Sequence, residues 1–322
     1  MSLLFLFLDG VGIGEEDPEV NPLVGASMPT LRDLLGGYVP THKHPEMETG
    51  SARALSTDAT LGVLGIPQSA TGQAAILTGR NVPALIGEHY GPRPDHRIRP
   101  LLESDTLFHA LVRQGKRVAF ANAYPERYFR HVNSGRRLPG AWAYAAQAAG
   151  IPLRTAEDLA AGQAISVDFT NEGWREMLGY ADMPLRTPEE SGHIVARLLQ
   201  THDLVVVEQW ATDMVGHRQD REGALRLLAH LDRFLRGLLD HLDLSRHTVL
   251  ITSDHGNLED LSTRRHTRNP VPTIVIGRGV RYELRALRRL DGIRRWVENR
   301  VLGVGTGEKE TDDSLTPFSP TL

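Results

Sequence analysis

The chain has 322 residues, 40% hydrophobic and 24% charged, which suits one large folded domain or two modest ones and argues against a disordered protein. Lys and Arg total 36 against 40 acidic residues, a formal charge of −4, so nothing electrostatic points to nucleic acid or an anionic membrane as partner. With no cysteine, disulfides, thiolate metal sites and thiol nucleophiles are excluded, and any metal has to be held by oxygen and imidazole nitrogen.

Leu3–Leu8 is apolar but short, lacks a basic flank and stops at Asp9. It reads as a buried strand, not a signal peptide or membrane span, and the expected location is cytoplasmic. Asp9 heads Gly10, Gly12 and Gly14, and is either the start of a glycine-rich turn or a ligand at a strand end. Ser69, in Pro67-Gln68-Ser69-Ala70-Thr71-Gly72-Gln73, precedes a short helix expected to end near Thr78-Gly79. It is either an N-cap or a hydroxyl at a helix N-terminus, where free backbone N–H groups and the dipole would hold a phosphoryl group. Residues 82–104 are rich in Pro, Gly and Arg, and 124–165 mix aromatics, Arg and an alanine-rich helix. Both read as insertions over one end of a sheet.

Between them Arg117–Ala121 is a predicted strand. A helix opens at Thr187, with Pro188 at its first position and Glu190 completing a capping box. Leu204–Val207 is the next strand; Asp213 and His217 follow it four apart, on one face if the segment is helical. A long helix over Glu222–Leu242 carries Leu228, Leu231, Leu235, Leu238 and Leu242 on one stripe. The strand Thr248–Thr252 runs into Asp254-His255-Gly256, His266 lies eleven residues beyond His255, and Pro272–Ile276 is the last strand. A final helix is expected around Glu283–Val301, with Arg285, Arg288, Arg289, Arg294 and Arg295 on its solvated side. The polar tail, 304–322, is expected to be mobile.

This alternation predicts an α/β fold, a mainly parallel sheet with helices on both faces, organised as one domain over residues 1–303. Ligands of such sheets collect beyond the carboxyl ends of the strands, where three of the candidate segments begin. Carboxylate plus neutral imidazole suits zinc or manganese and fits calcium poorly. A serine hydroxyl near such ions becomes a usable nucleophile because its pKa falls.

Asp213-Met214-Val215-Gly216-His217, Asp254-His255-Gly256-Asn257 and His266-Thr267 resemble the metal-binding motifs of cofactor-independent phosphoglycerate mutase. Leu8-Asp9-Gly10-Val11-Gly12-Ile13-Gly14 is similar to the start of phosphopentomutase, and both families belong to the alkaline phosphatase superfamily. The resemblance covers roughly residues 3–80 and 203–277. It implies two divalent cations, one on Asp213, His217 and His266, the other on Asp9, Asp254, His255 and the nucleophile oxygen. It also implies a small phosphorylated substrate, and an alkaline-phosphatase-like three-layer core with reduced cap insertions.

Ser69 is the expected nucleophile, since Gly72 stands three residues after it as in the mutases, with Thr71 as the alternative. The mutases carry a large lid inserted after the nucleophile helix. Here only short insertions are expected, so water should reach a phosphoserine, and a phosphohydrolase is favoured over a phosphomutase. A non-catalytic metal-binding module is the third reading. Arg93, Arg97, Arg99, Arg127, Arg130, Arg136 and Arg137 crowd the insertions, either gripping phosphate or forming a solvated basic surface.

Overall fold

Seven strands form one sheet: β1 (Ser2–Leu8), β2 (Met47–Glu48), β3 (Ala52–Thr57), β4 (Val118–Phe120), β5 (Leu204–Gln209), β6 (His247–Thr252) and β7 (Val271–Ile276), in the order β2-β3-β7-β6-β1-β5-β4. The computed structural model describes residues 2–277 and 284–304. The predicted mobile tail over 304–322 lies outside them except for Val304.

All of β1 is buried, because side chains of successive residues feed opposite faces. Leu3, Phe5 and Phe7 join one core cluster and Leu4, Leu6 and Leu8 the other. Helices cover both faces. On the first, Trp142 of the helix Ala141–Ala148 packs 5.0 Å from the rings of both Phe5 and Phe7. On the second, Pro188–Thr201 and Arg221–Leu239 pack together, and Gly192 and Gly237 allow the close crossing.

The sheet is mixed. β4, β5, β1 and β6 are parallel, whereas β7, β3 and β2 continue it antiparallel. β2 and β3 escape the sequence reading because Ala52–Thr57 is neither a β-branched run nor a clean alternation; its burial reads buried, intermediate, buried, buried, intermediate, buried. β1 lies between β5 and β6, so the carboxyl ends of these three strands share one edge. That edge is where the candidate residues converge.

The capping box at Thr187 is present. Glu190 N–H donates to Thr187 Oγ1 at 3.2 Å, and Thr187 N–H to Glu190 Oε2 at 2.7 Å. Two expectations need correction. The predicted helix over 283–301 is instead two 3₁₀ turns, Leu284–Arg288 and Leu290–Gly292, followed by the helix Ile293–Leu302; Glu283 is outside the described residues. The break sits at Gly292, where a Cβ would collide with the Ala286 carbonyl. Arg294 is also not on a solvated side. It donates to the Thr78 carbonyl at 2.9 Å and pairs with Glu298 and Asp105.

The segments 82–104 and 124–165 do more than lie over the sheet edge, since Ile98, Leu102 and Trp142 are fully buried in the first core cluster. No helix among the described residues is long and apolar enough to cross a membrane.

Candidate metal centre and active site

The helix Ser69–Thr78 is buried along its whole length, and its small residues let it lie against the sheet edge. Gln68 is the N-cap, so Ser69 is the first helical residue, not the cap that its sequence position allows. Its hydroxyl is therefore not spent on capping and lies 3.0 Å from His255 Nε2. Thr71 N–H donates to the Tyr90 carbonyl at 3.0 Å, and the N–H groups of Ser69 and Ala70 have no partner among the described residues. The Thr71 hydroxyl donates to the carbonyls of Gln68 and Tyr90 and accepts from Tyr90 N–H.

Asp213 and His217 share one face of the helix Ala211–Arg218, with His217 Nε2 3.2 Å from Asp213 Oδ2. His266 Nε2 lies 3.5 Å from Asp213 Oδ1 and 3.0 Å from His217 Nε2. At the other end of the cluster His255 Nε2 is 3.3 Å from Asp9 Oδ1 and 3.6 Å from Asp254 Oδ2. Ligand atoms of Asp213, His217 and His266 lie within 4.8 Å of one another, and so do those of Asp9, Asp213 and His255. The seven residues singled out from the sequence thus meet at one place, and Asp213 stands between the two groups.

All three imidazoles are oriented the same way. The Nδ1–H groups of His217, His266 and His255 face the carbonyls of Arg264, Pro67 and Gly256 at 2.7, 3.0 and 3.3 Å. That arrangement points each Nε2 inward, the orientation metal-binding histidines take when a carbonyl holds the other nitrogen. Two neutral Nε2 lone pairs 3.0 Å apart, on His217 and His266, repel unless a proton or cation lies between them. Asp9 Oδ1 is buried and accepts no hydrogen bond from the described residues.

Burial first, then Asp254, pushes Asp9 well above the usual carboxylate range, and burial also raises Asp254. Burial opposes charge on His255, but Asp254 and Asp9 outweigh it and lift the imidazole to about 10. Burial and the neighbouring His255 push His266 down to about 4. Crowded anions calling for positive charge, inward-facing imidazole nitrogens and an orphaned carboxylate oxygen together fit divalent cations.

The cluster opens on a cleft of about 450 Å³ whose lining includes Asp9, Ser69, Gln73, Arg93, Tyr124, Tyr128, Arg137, Glu208, Trp210, Asp213 and His217. Of the sequence-derived arginines, Arg93 and Arg137 reach it. Arg97 does not line the cleft because Asp95 and Glu88 hold it at 2.7 and 2.9 Å. Arg130 sits exposed beside Glu126, Arg127 and Arg136 point to solvent, and Arg99 is absent from the lining.

Sequence reasoning passed over Gln73, whose amide donates to Asp9 at 3.3 Å and Asp254 at 3.0 Å. Its spacing of one helical turn from Ser69 was a usable signal. It also missed Glu208, whose carboxylate accepts from Tyr124 at 3.2 Å and which burial lifts to about 7.

Residues 180–298 match the profile of the Metalloenzyme superfamily. The chain superposes on a Pyrococcus horikoshii protein with a TM-score of 0.56 at 16% identity, over 96% of this chain and 98% of that one. On the alkaline phosphatase of the Antarctic bacterium TAB5 the TM-score is 0.52 at 10% identity, over 95% and 98%. The fold is alkaline-phosphatase-like, and over residues 180–298 the chain is similar to the Metalloenzyme superfamily. In sequence, part of the chain resembles cofactor-independent phosphoglycerate mutase. The 2,3-bisphosphoglycerate-independent phosphoglycerate mutase of Cereibacter sphaeroides is 31% identical over 138 residues, 41% of this chain and 27% of the relative. A second such enzyme, from Methanothermobacter thermautotrophicus, is 33% identical over 127 residues, 39% of this chain and 30% of the relative. The chain therefore spans under a third of the length of these mutases.

Proposed function

We propose that this protein takes a phosphoryl group from a small phosphate ester onto Ser69 and passes it to water, using two divalent cations, manganese or zinc. The observation that carries the reading is the Ser69 hydroxyl, 3.0 Å from His255 Nε2 inside the carboxylate–imidazole cluster and open to the cleft. Asp213, His217 and His266 would hold one cation; Asp9, Asp254, His255 and the Ser69 oxygen would hold the other. When bound, such ions lower the pKa of a hydroxyl and neutralise charge on the attacking and leaving oxygens.

The chain's own groups do the rest. Ser69 Oγ bonds to phosphorus as the ester P–O bond breaks, and the departing oxygen takes up a proton. A water oxygen then bonds to phosphorus as the Oγ–P bond breaks, and Ser69 regains its proton. The partner-free N–H groups of Ser69 and Ala70 stand at the helix N-terminus, where an anion is favoured. Arg93 and Arg137, which line the cleft, would grip the ester. Arg93 is half-buried, and burial and then Arg137 lower its pKa, so an anion between the two would be welcome. In this reading residues 1–303 act as one unit and the insertions form a reduced cap, Arg93 coming from the first and Tyr128 and Arg137 from the second.

The choice of water as acceptor rests on access. The His217 side chain is 44% exposed, so solvent reaches the cluster from that side. The names of the sequence relatives favour the second reading, a phosphomutase that returns the group to its substrate at a new position. Labelled glycerate and pentose phosphates separate the two when free phosphate and positional isomers are quantified with Mn²⁺ or Zn²⁺ present. Free phosphate should dominate. Isomer formed faster than phosphate would replace the hydrolase by the mutase, and neither product, across a panel of monoesters and diesters, would end the phosphoryl-transfer reading.

A further inference from the structure

Glu259 is a carboxylate with 1% exposure that ion-pairs with no described Lys, Arg or His. It accepts four hydrogen bonds from neutral donors instead. Gly12 N–H and Asn257 N–H reach Oε2 at 2.9 and 2.7 Å; Asn269 Nδ2 reaches Oε1 at 3.1 Å, and the Thr267 hydroxyl donates to the same oxygen. Four donors need four acceptor lone pairs, which an ionised carboxylate supplies and an amide does not.

The donors are not scattered. Gly12 is three residues past Asp9, Asn257 is two past His255, and Thr267 follows His266. Asn257 in turn donates its side-chain amide to Asp213 Oδ1 at 2.7 Å. One carboxylate therefore ties together directly the segments that carry Asp9, Asp254–His255 and His266, and reaches the Asp213 segment through Asn257.

Three glycines exist in shapes that accommodate it. A Cβ on Gly12 or Gly256 would collide with the Glu259 carboxylate, and one on Gly14 would lie 2.8 Å from its Cγ. Gly12 and Gly14 of the turn after β1 are thus explained by the Glu259 side chain packed against them, whereas Gly10 has a φ of +67° and abuts Asp213.

We infer that Glu259 is a positioning residue, which fixes the loops after β1 and β6 in the spacing that lets their side chains share two cations. This rests on the metal reading of the cluster, and the test separates the two. Full-length protein, stripped with chelator and checked by far-UV circular dichroism, is titrated with Mn²⁺ and bound ion is read by electron paramagnetic resonance. If the wild-type protein binds neither Mn²⁺ nor, in a parallel titration, Zn²⁺, the metal reading fails.

If the wild-type protein binds, Glu259→Gln should weaken binding about 10–100-fold with its fold retained, the usual scale for a group that orients metal ligands. A folded Glu259→Gln that binds Mn²⁺ as the wild type does would overturn the inference. Should that variant not fold, Thr267→Val removes a single donor at constant shape. A tenfold or greater loss of affinity there supports the role, and unchanged affinity overturns it.

Discussion

Ser69 and Thr71 stand two positions apart on one helix, yet their hydroxyls meet different surroundings. Thr71 is engaged by the backbone of Gln68 and Tyr90, whereas Ser69 faces His255 across 3.0 Å. Ser69→Ala should therefore cut turnover on the order of 10⁴-fold or more, as loss of a nucleophile does elsewhere. It should cost only about 1 kcal/mol of stability, one hydrogen bond, and leave Mn²⁺ stoichiometry intact. Phosphate release and intact mass check this; a phosphorylated Thr71 peptide with Ser69 unmodified would move the role. Glu208 supports a different prediction at the same scale. Its folded pKa of about 7 lies above the ordinary 4.5, so between those values the folded state binds the extra proton. Stability of the metal-free protein should then fall as pH rises through that window and level off above it, by about 3 kcal/mol in all. Glu208→Gln keeps an acceptor for Tyr124 and removes the titration. In urea melts with chelator it should match wild type near pH 5 and exceed it near pH 8; an unchanged pH response would clear Glu208 of the effect.

At the scale of elements, glycine inside a helix ordinarily costs about 0.5–1 kcal/mol relative to alanine. Gly72 reverses that sign. A Cβ there would sit 2.9 Å from the Asp254 carbonyl oxygen and 3.0 Å from its Cβ, so the helix could no longer lie against the β6 loop. Overpacking of this kind costs about 1–3 kcal/mol, which outweighs the propensity gain. Gly72→Ala should lower the melting temperature and weaken Mn²⁺ binding together; a variant more stable than wild type would show that the helix has room to move. The same contact explains what could be read in advance. Asp9, Asp213, His217, Asp254, His255 and His266 were legible because each stands beside a strand end or on one helical face, and because their motifs resemble a known family. Gln73 and Glu259 were not, since one polar residue in a helix and one in a loop carry no local pattern. Their partners lie 64 or more residues away for Gln73, and 247 for the Glu259–Gly12 bond. The antiparallel edge was illegible for another reason. β3 gains its conformation from pairing with β7 across the chain, not from its own propensities.

For the whole molecule, the cluster is a local concentration of charge in a protein of net charge −4. Asp9 and Asp254 are buried, Asp213 lies among them, and the two buried carboxylates are each raised by burial. Folding gathers these groups against their mutual repulsion, and ions that bind only the gathered form shift the folding equilibrium by mass action. At free ion one hundred times the dissociation constant, each independent site adds about 2.7 kcal/mol, so two sites add about 5. For a chain of this size that corresponds to a rise in melting temperature on the order of 10 °C. The prediction is a Tm that climbs with the logarithm of Mn²⁺ or Zn²⁺ concentration and drops on chelation. Asp213 would hold the first cation, and its carboxylate also lies within 4.8 Å of the ligand atoms of Asp9 and His255 beside the second, so Asp213→Asn should flatten the climb at both sites. His217→Ala removes a ligand from one group only and should leave roughly half of it. A Tm indifferent to either cation, in wild-type protein that is otherwise folded, would mean that the imidazoles and carboxylates form a buried polar network and not a metal centre. Equal slopes for His217→Ala and Asp213→Asn would instead mean that the two groups bind as one site.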